Sequence, residues 1–348
     1  MVNVGILGTG IFAKDAHLPA LTTVDAKVVA AFNRTASKAE DFAAHAKQTG
    51  HEVKVEPTFE ALLQNPEVDV VDMLLPVQHN YSNLKLALDA GKAVSFEKPI
   101  AASLDEAKKI VELTDASPLP VIVLEQYVYH QGVAKVQELL PKIGKPVSFI
   151  FQGTGAFNPS NKYAATAWRL NPEHVGGYLS DGGVHQVTVL TECLKSKVEQ
   201  VNAYTTQLRE TSGDVDVLAA SFKFENGVFG TFTYGSTFGA TKKTNTLQIF
   251  GTEGSIIYDW SPGSADTVTL QVGPDSNNMG QPQVFTINES KHFSVDSEFK
   301  NFFDAVEKKD KKVVASNPRK AFHQFAVIVA CVESAKKDGQ QVKVAQLD

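Results

Sequence analysis

The sequence predicts an α/β protein: an N-terminal Rossmann domain with a doubly wound parallel sheet, then an α/β domain with a large, mostly antiparallel open sheet. Short apolar runs alternate with amphipathic stretches over the first 125 residues, as in a parallel sheet with crossover helices. A glycine-rich turn, Gly8-Thr9-Gly10-Ile11-Phe12-Ala13, follows the first apolar run. After about residue 126 the pattern changes to strands with few helical stretches.

Length and composition favour two domains in a soluble globular protein. A chain of 348 residues exceeds what one core usually holds, so we expect domains at 1–125 and 126–348. The net charge of -6 argues against nucleic acid or an anionic membrane as partner. No apolar run approaches the roughly 20 residues that span a bilayer. The strand pattern begins at Val2, which leaves no room for a signal peptide, and Cys193 and Cys331 form no metal or redox motif. We therefore expect a cytoplasmic protein.

In the first domain we expect five clear strands joined by helices. The strands are predicted at Val2–Leu7, Val28–Phe32, Val68–Leu75, Ala93–Phe96 and Val121–Leu124. Helices are predicted over 36–46 and 82–90, and a third begins after Ser103, which forms a capping box with Glu106.

The second domain is predicted to be mainly strands between 198 and 287, with helices near both ends. Helices are expected near 133–140, 178–194, 295–308 and 318–337, and a strand over 146–152. Two alternating arms flank Asn226-Gly227, which predicts a type I′ hairpin turn. We expect helices to pack on one face of this sheet, so the other face needs a packing partner, and a second subunit is a natural candidate.

The glycine-rich turn predicts a dinucleotide site. Gly8 permits the tight turn, Gly10 lets the backbone approach a pyrophosphate, and Ala13 allows close packing of strand and helix. Backbone amides at the helix start then bind the phosphates, so Gly8, Thr9, Gly10, Ile11 and Phe12 are the predicted cofactor contacts.

The end of the second strand favours NADP(H) as the cofactor. NAD-specific sites usually place a carboxylate here, where this chain has Asn33-Arg34-Thr35. Arg34 offers a planar donor fork suited to a 2′-phosphate, and Lys38 lies one turn further on. The alternative is that Arg34 is a solvated turn residue and either cofactor binds.

Further cofactor contacts are expected where other strands end, because ligands of an open α/β sheet lie beyond the carboxyl ends of its strands. Leu75, Pro76 and His79 follow the third strand. The alternative for His79 is a residue at a helix start without a ligand. Glu97 and Lys98, in Glu97-Lys98-Pro99, and Gln126 follow two further strands.

Gly176-Gly177-Tyr178-Leu179-Ser180-Asp181-Gly182-Gly183-Val184-His185 is the second informative segment. On a helix Asp181 and His185 are neighbours on one face, able to present a carboxylate and an imidazole to one substrate. The glycines would let that helix approach a cofactor closely. A zinc site would need a third ligand that no cluster supplies, so no metal is predicted.

Together these motifs resemble the Gfo/Idh/MocA family, which includes glucose–fructose oxidoreductase and inositol dehydrogenase, over essentially the whole chain. The glycine-rich turn and the segment Leu179–Gln186 look closest to fungal NADP-dependent oxidoreductases of that family. Trp168-Arg169 looks like members of the glucose–fructose oxidoreductase branch, and both residues are expected near the cofactor. The resemblance implies that the open sheet of the C-terminal domain forms a homodimer or larger assembly.

By this resemblance Lys98 lies near the nicotinamide and the reacting carbonyl, and Asp181 and His185 face the substrate. Lys98, with its pKa lowered by burial and a neighbouring cation, is the expected principal acid/base, and His185 is the competing acid. Relatives often have Asn or Arg where this chain has Gln126-Tyr127-Val128, so no relative's substrate is carried over.

The substrate is expected to be a sugar, keto-sugar, polyol or simple aldehyde. Aromatic residues cluster around the proposed cleft, although rings of this kind are also common in cores and interfaces; they are Tyr127, Phe157, Tyr163, Trp168, Tyr178 and Phe238. The expected substrate contacts are Lys98, Tyr127, Tyr163, Trp168, Asp181 and His185. Two alternatives stay open: an NAD(P)-dependent sugar or dihydrodiol dehydrogenase, and a non-catalytic protein that senses NAD(P).

Overall fold

The computed structural model describes residues 1–163 and 166–347, which pack as two compact units. The first unit contains residues 1–126 together with 290–322, and the second contains 127–289 and the chain from 323 onward. The sequence-based division at 125 and 126 assigned the segment 290–322 to the second domain, whereas in the structure this segment packs with the first unit.

The first unit is built on a parallel sheet, as the sequence predicts. Its strands are β1 (Val2–Leu7), β2 (Ala26–Phe32), β3 (Lys54–Val55), β4 (Val70–Met73), β5 (Ala93–Glu97) and β6 (Val121–Leu124). They lie in the order β3-β2-β1-β4-β5-β6, and every pairing between them is parallel. The carboxyl ends of these strands therefore meet at one edge, where a doubly wound sheet binds its ligand.

The second unit is built on a mixed sheet that is mostly antiparallel. Its strands are β7 (Pro146–Ala156), β8 (Val198–Thr206), β9 (Val217–Phe224), β10 (Phe229–Phe238), β11 (Thr244–Gly251), β12 (Gly254–Asp259), β13 (Asp266–Val272), β14 (Gln283–Ile287) and β15 (Val342–Lys343). The order is β14-β13-β12-β11-β7-β10-β9-β8-β15, and β7 and β10 pair in parallel. The predicted fold class is confirmed by these two sheets.

Helices fall where apolar periodicity and caps predict them, with some additions. They are α1 (Leu18–Leu21), α2 (Ala36–Gln48), α3 (Phe59–Gln64), α4 (Asn80–Asp89), α5 (Leu104–Ala116), α6 (Gln131–Leu139), α7 (Ala167–Leu170), α8 (Gly177–Leu194), α9 (Val295–Lys308) and α10 (Pro318–Lys336). At the start of α5 Ser103 Oγ accepts from the Glu106 amide as predicted, but the Glu106 carboxylate accepts from the Ala102 amide, one residue before the Ser103 amide that a capping box uses. A π-helical turn, Ala13–His17, precedes α1.

The turn between β9 and β10 differs from the predicted type I′ turn. A type I′ turn requires positive φ at both central residues, but Gly227 has φ 87° and Asn226 does not have a positive φ. The Gly227 amide donates to the Phe224 carbonyl at 3.0 Å, and the Phe224 amide donates to the Val228 carbonyl at 2.8 Å. The loop therefore contains three residues, Glu225, Asn226 and Gly227, one more than a type I′ turn has. Of these three, Gly227 alone lies in the left-handed region. Asn226 instead uses its side-chain oxygen to accept from the Val228 amide.

In the described ranges, 1–163 and 166–347, none of the helices has the length and apolar character needed to cross a membrane.

Candidate functional site

The glycine-rich turn has the geometry that a dinucleotide pyrophosphate requires. Gly8 has φ 99°, and a Cβ there would collide with the Leu74 carbonyl oxygen, so only glycine fits. A Cβ on Gly10 would meet nothing within 4 Å, which leaves the backbone open to a ligand. Thr9 is buried, and its Oγ1 has no hydrogen-bond partner among the described residues. An open backbone beside an unsatisfied buried hydroxyl fits a bound phosphate group. Ile11 is exposed and Phe12 half-buried at the same turn.

The end of β2 presents basic and hydroxyl side chains to solvent. Arg34, Thr35 and Lys38 are exposed. Asn33 accepts a hydrogen bond from the Thr35 amide at 2.9 Å, which fixes the turn into α2. The segment contains no carboxylate that would repel a 2′-phosphate. The structure thus leaves Arg34 and Lys38 available, and their contact with a cofactor stays a prediction.

The segment after β4 is a short 3-10 turn, Val77–His79. Leu75 and Pro76 are half-buried and the His79 side chain is exposed. The His79 carbonyl accepts from Asn83 Nδ2 at 2.8 Å at the start of α4. These residues lie at the carboxyl edge of the sheet, where the cofactor is expected, and their role stays a prediction.

Lys98 is half-buried at the end of β5. The backbone that follows it is held by the side chain of Asn80, which sequence reasoning missed. The Lys98–Pro99 peptide bond is cis. Asn80 is buried at the start of α4, and its Nδ2 donates to the carbonyl oxygens of Pro99 and Ile100, each at 3.3 Å. The sequence pointed to Asn80 only by its position at the end of the segment Pro76–Asn80, which follows the predicted strand Val68–Leu75.

Glu97 is held by a histidine that sequence reasoning also missed. His17 lies at the end of the π-helical turn and is fully buried. Its Nδ1 is 2.7 Å from Asp72 Oδ2, and its Nε2 is 2.9 Å from Glu97 Oε1. Ser95 donates to the other Asp72 oxygen at 2.8 Å. This cluster, Asp72–His17–Glu97, joins β4 and β5 beneath the site.

The electrostatics of the Asp72–His17–Glu97 cluster favour a charged imidazole. Burial opposes the charge, but the negative charges and hydrogen bonds of Asp72 and Glu97 raise the pKa of His17 to about 10. Nearby Glu298, on α9, is 1% exposed, and its Oε2 has no partner among the described residues. Burial, and then the charge of Glu97, raises the Glu298 pKa well above its usual range, which favours the neutral carboxyl.

In the second unit, α8 presents Asp181 and His185 on one face, as predicted. Arg169 Nε donates to Asp181 Oδ2 at 2.7 Å, an ion pair that the sequence did not predict. The Arg169 guanidinium lies 4.1 Å from the Trp168 ring centroid, and its Nη1 donates to the Tyr163 carbonyl at 3.4 Å. The structure therefore brings together three predicted site residues around Asp181. The predicted contacts of Trp168 and Arg169 with the cofactor stay a prediction.

Tyr127 stacks between two histidines of the second unit. Its ring centroid lies 4.7 Å from that of His185 and 4.2 Å from that of His130. Burial, and then the charge of neighbouring His185, lowers the pKa of His130 to about 3, so His130 is neutral at ordinary pH. His130 was not among the predicted site residues. Gln126, directly before Tyr127, is half-buried in the short 3-10 turn Gln126–Tyr129.

Two glycines of α8 make room for side chains within the second unit, and the predicted close approach of this helix to a cofactor stays a prediction. A Cβ on Gly182 would collide with the hydroxyl of Tyr234, and one on Gly183 would lie 3.2 Å from Ile328. The Tyr234 and Tyr178 rings stack with centroids 5.6 Å apart. The Gly182-Gly183 pair therefore makes room for a buried tyrosine from β10.

Comparisons with known proteins identify both units. Residues 2–124 match the family model "Oxidoreductase family, NAD-binding Rossmann fold", and residues 138–344 match "Oxidoreductase family, C-terminal alpha/beta domain", the two models of the Gfo/Idh/MocA type. The chain is 43% identical over 348 residues to the uncharacterized protein YMR315W of Saccharomyces cerevisiae, with 99% of each chain covered. It is 28% identical to D-xylose 1-dehydrogenase (NADP(+)) of Hypocrea jecorina, with 64% of this chain and 58% of that protein covered. Among solved structures, an oxidoreductase from Thermotoga maritima matches with a TM-score of 0.86 and 33% identity, covering 99% of this chain and 98% of that one.

We predict that replacement of His17 lowers stability in a pH-dependent way. Because the folded pKa of His17 is raised from 6.5 to about 10, the stabilisation from its proton is complete below about pH 6.5 and is lost as the pH rises through about 10. Leaving buried Asp72 without its charged partner costs about 3–5 kcal/mol. His17→Gln should therefore lower Tm most near pH 7, and the difference from wild type should shrink by pH 10, measured by differential scanning fluorimetry.

His51 provides the matched control. It is a buried histidine of the same unit, and it accepts from the Val28 amide at 3.2 Å. Burial, and then Lys27, lowers its pKa, so it loses no proton between pH 7 and 10. His51→Gln should shift Tm by the same amount at both pH values. An equally constant shift for His17→Gln would contradict a charged His17.

Proposed function

The chain belongs to the Gfo/Idh/MocA family of oxidoreductases, and we propose that it is an NADP(H)-dependent enzyme that transfers a hydride between the nicotinamide and the carbonyl or alcohol carbon of a sugar, keto-sugar, polyol or simple aldehyde. The observation that carries the proposal is the position of Lys98 at the carboxyl end of β5. The glycine-rich turn lies at the carboxyl end of β1 in the same parallel sheet. An ammonium donor and a phosphate-binding turn thus share the ligand-binding edge of one Rossmann sheet.

The side chains after β2 support NADP(H) over NAD(H). A 2′-phosphate carries negative charge that an Arg guanidinium binds through parallel N–H bonds. Arg34 and Lys38 are exposed there and no carboxylate opposes them. The similar D-xylose 1-dehydrogenase from Hypocrea jecorina uses NADP(+) by its name. The enzyme is proposed to act in the cytoplasm, where both buried free thiols, Cys193 and Cys331, stay reduced.

In the proposed mechanism Lys98 supplies the proton that the reaction needs. NADPH, when bound, would supply the hydride to the carbonyl carbon, which would leave the negative charge of an alkoxide on the carbonyl oxygen. The Lys98 ammonium donates its proton to that oxygen, and in the reverse direction the amine removes a proton from an alcohol. His185, stacked on Tyr127, is the alternative donor.

The Arg169–Asp181 ion pair and the aromatic rings of the second unit support a polyhydroxylated substrate. Arg169 and Asp181 are partly exposed, and a carboxylate has acceptor sites for more than one donor, so Asp181 is proposed to accept from a substrate hydroxyl. The rings of Tyr127, Tyr163 and Trp168 can pack on the apolar face of a sugar. Reduction is the proposed cellular direction because the NADP pool is kept mostly reduced.

The same site supports a second candidate, an NAD(P)-dependent dehydrogenase that oxidises a sugar or dihydrodiol. The specific observation in its favour is the similarity to D-xylose 1-dehydrogenase (NADP(+)). The two candidates share Lys98 and differ in direction, so reduction of NADP(+) by aldoses measured beside oxidation of NADPH by carbonyls separates them.

A homodimer through the second-unit sheet is proposed from the register of its strands. Gln248 on β11 pairs with Ile150 on β7 and Ile257 on β12, and Thr269 on β13 pairs with Ile257 and Val284 on β14. The apolar members of this row, Ile150, Ile257 and Val284, are 50%, 37% and 63% exposed. Exposed apolar side chains aligned across one sheet face are typical of a subunit interface.

The first prediction concerns Lys98. We expect Lys98→Met to bind NADPH while its turnover falls at least about a hundredfold, the usual contribution of a positioned general acid. NADPH oxidation is followed by absorbance against a panel of aldehydes, aldoses and keto-sugars. Lys85→Met, which removes an exposed lysine paired with Asp89 on α4, is the control and should keep wild-type turnover. Normal turnover by Lys98→Met would refute the proposed acid, and no turnover by any variant with NADPH still bound would favour the sensing role.

The second prediction concerns cofactor choice. Arg34→Ala should weaken NADPH binding by roughly 10- to 100-fold, because a hydrogen bond to a charged group contributes about 1.5–3 kcal/mol. NADH binding should change little, since it has no 2′-phosphate. Dissociation constants are measured by fluorescence titration, with Lys47→Ala at the far end of α2 as the control. Wild-type protein that binds NADH as tightly as NADPH would contradict the proposal.

The third prediction concerns assembly. Light scattering after size exclusion should give wild-type protein twice the chain mass of 37.7 kDa. Ile150→Lys places a charge in the proposed interface and should yield monomer at the same concentration. Leu86→Lys, which changes an exposed leucine of α4, should remain dimeric. A dimer that persists in Ile150→Lys would exclude this face as the interface.

A further inference from the structure

The backbone that carries Lys98 is fixed on both sides by buried polar side chains. On its carboxyl side, Asn80 binds the carbonyl oxygens of Pro99 and Ile100. On its amino side, Glu97 Oε1 lies 2.9 Å from His17 Nε2. The orientation of Lys98 in the first unit is therefore set by two anchors, one of which depends on an imidazole.

With Asp72 and Glu97 ionised, both nitrogens of His17 must donate. Nδ1 faces Asp72 Oδ2 at 2.7 Å while Nε2 faces Glu97 Oε1 at 2.9 Å. Ser95 Oγ supplies a donor to the second Asp72 oxygen, which leaves that carboxylate to accept from Nδ1. A neutral imidazole has only one N–H, so only the imidazolium satisfies both carboxylates.

His17 also contacts the cofactor turn and the helix behind it. Its ring centroid lies 5.1 Å from that of Phe12, in the glycine-rich turn, and 5.2 Å from that of Phe299 on α9. Both rings meet the imidazole edge to face. One buried side chain thus touches the element that binds pyrophosphate and the strand end that carries the proposed acid.

We propose that His17 is a positioning residue for Lys98: its Nε2–H bond to Glu97 holds the Glu97-Lys98-Pro99 segment at a fixed place relative to the cofactor turn, while its Nδ1–H bond to Asp72 anchors the ring. The inference rests on the proposed role of Lys98 as the acid. The two bonds have separable consequences, because the Glu97 bond is adjacent to the reacting group and the Asp72 bond is internal to the sheet.

The other ionisable groups around His17 do not replace this pairing. Asp72 and Glu97 face it from β4 and β5, Glu298 faces it from α9, and Glu125 follows β6. The neutral form of Glu298 is favoured for the reasons given above, so it offers no second charge to the imidazolium. The pairing with Glu97 is the connection between the cluster and Lys98.

Two amide substitutions test the two bonds separately. An asparagine amide nitrogen is as many bonds from Cβ as Nδ1, so His17→Asn keeps a donor toward Asp72 and loses the one toward Glu97. A glutamine amide nitrogen matches Nε2, so His17→Gln keeps the donor toward Glu97. We expect kcat of His17→Asn to fall about ten- to a hundredfold below that of His17→Gln, the scale of a misplaced catalytic group, with equal KM for NADPH.

The readouts separate positioning from a structural role. His17→Gln loses the bond to fully buried Asp72, whereas His17→Asn loses the bond to Glu97, whose side chain is 18% exposed. Tm should therefore fall at least as far in His17→Gln, so a lower kcat in His17→Asn cannot come from lost stability and must arise at Lys98. His51→Asn and His51→Gln form the matched pair in the same unit, and their kcat values should not differ. Rates are measured with NADPH and the panel carbonyl that wild type reduces fastest.

The outcomes distinguish this inference from the proposed function. Equal kcat for His17→Asn and His17→Gln, with Lys98→Met inactive, overturns the positioning role and leaves Lys98 as the acid. Undiminished turnover by Lys98→Met, or a wild type that oxidises no NADPH with any panel member, overturns the proposed function and this inference with it.

Discussion

The imidazolium of His17, enclosed between Asp72 and Glu97, is the interaction on which the ligand-binding edge of the first unit depends. Two carboxylates and one histidine are costly to bury, with Asp72 and His17 fully enclosed and the Glu97 side chain 18% exposed, and the arrangement holds only if each charge has a partner. Here each Asp72 oxygen has a donor, and both histidine nitrogens face oxygens. Removing the histidine would leave the like charges of Asp72 and Glu97 on two adjacent parallel strands, near the carboxyl ends of β4 and β5.

This cluster explains why the segment 290–322 packs with the first unit. Helix α9 contributes Phe299, which contacts His17, and Glu298, whose burial favours its neutral form. A helix that covers a buried charge cluster must itself be apolar or uncharged on that face, and α9 presents Phe302 and Phe303 on its buried side. The strand-end chemistry and the late helix are thus parts of one core, although about two hundred residues separate them in sequence.

Sequence patterns predicted the regular elements of the fold and the residues of the glycine-rich turn, but not the contacts between distant residues. Short continuous apolar runs identified β1, β2, β4, β5 and β6, because a strand that is buried on both faces has apolar residues at successive positions. His17 follows the glycine-rich turn, but its hydrogen-bond partners are 55 and 80 residues away in sequence. Asn80 follows β4, and its partners are 19 and 20 residues away. Asp72 was the one readable signal, since a carboxylate inside an apolar strand requires a buried donor. The packing of Tyr234 against the Gly182-Gly183 pair was not predicted, because nothing in the sequence places that ring beside α8.

The polar groups of the two units differ in how freely they can change partners. His17 is fully enclosed, so exchanging its hydrogen bonds would require the sheet core to open, and it suits the fixed support of a reacting group. Arg169 and Asp181 are partly exposed, with side-chain exposures of 26% and 15%. A pair of this kind can admit a substrate hydroxyl at small cost, because water already reaches it. Under the proposed function this difference suits the two roles, because a proton donor must hold one geometry whereas groups that recognise a substrate exchange water for its hydroxyls.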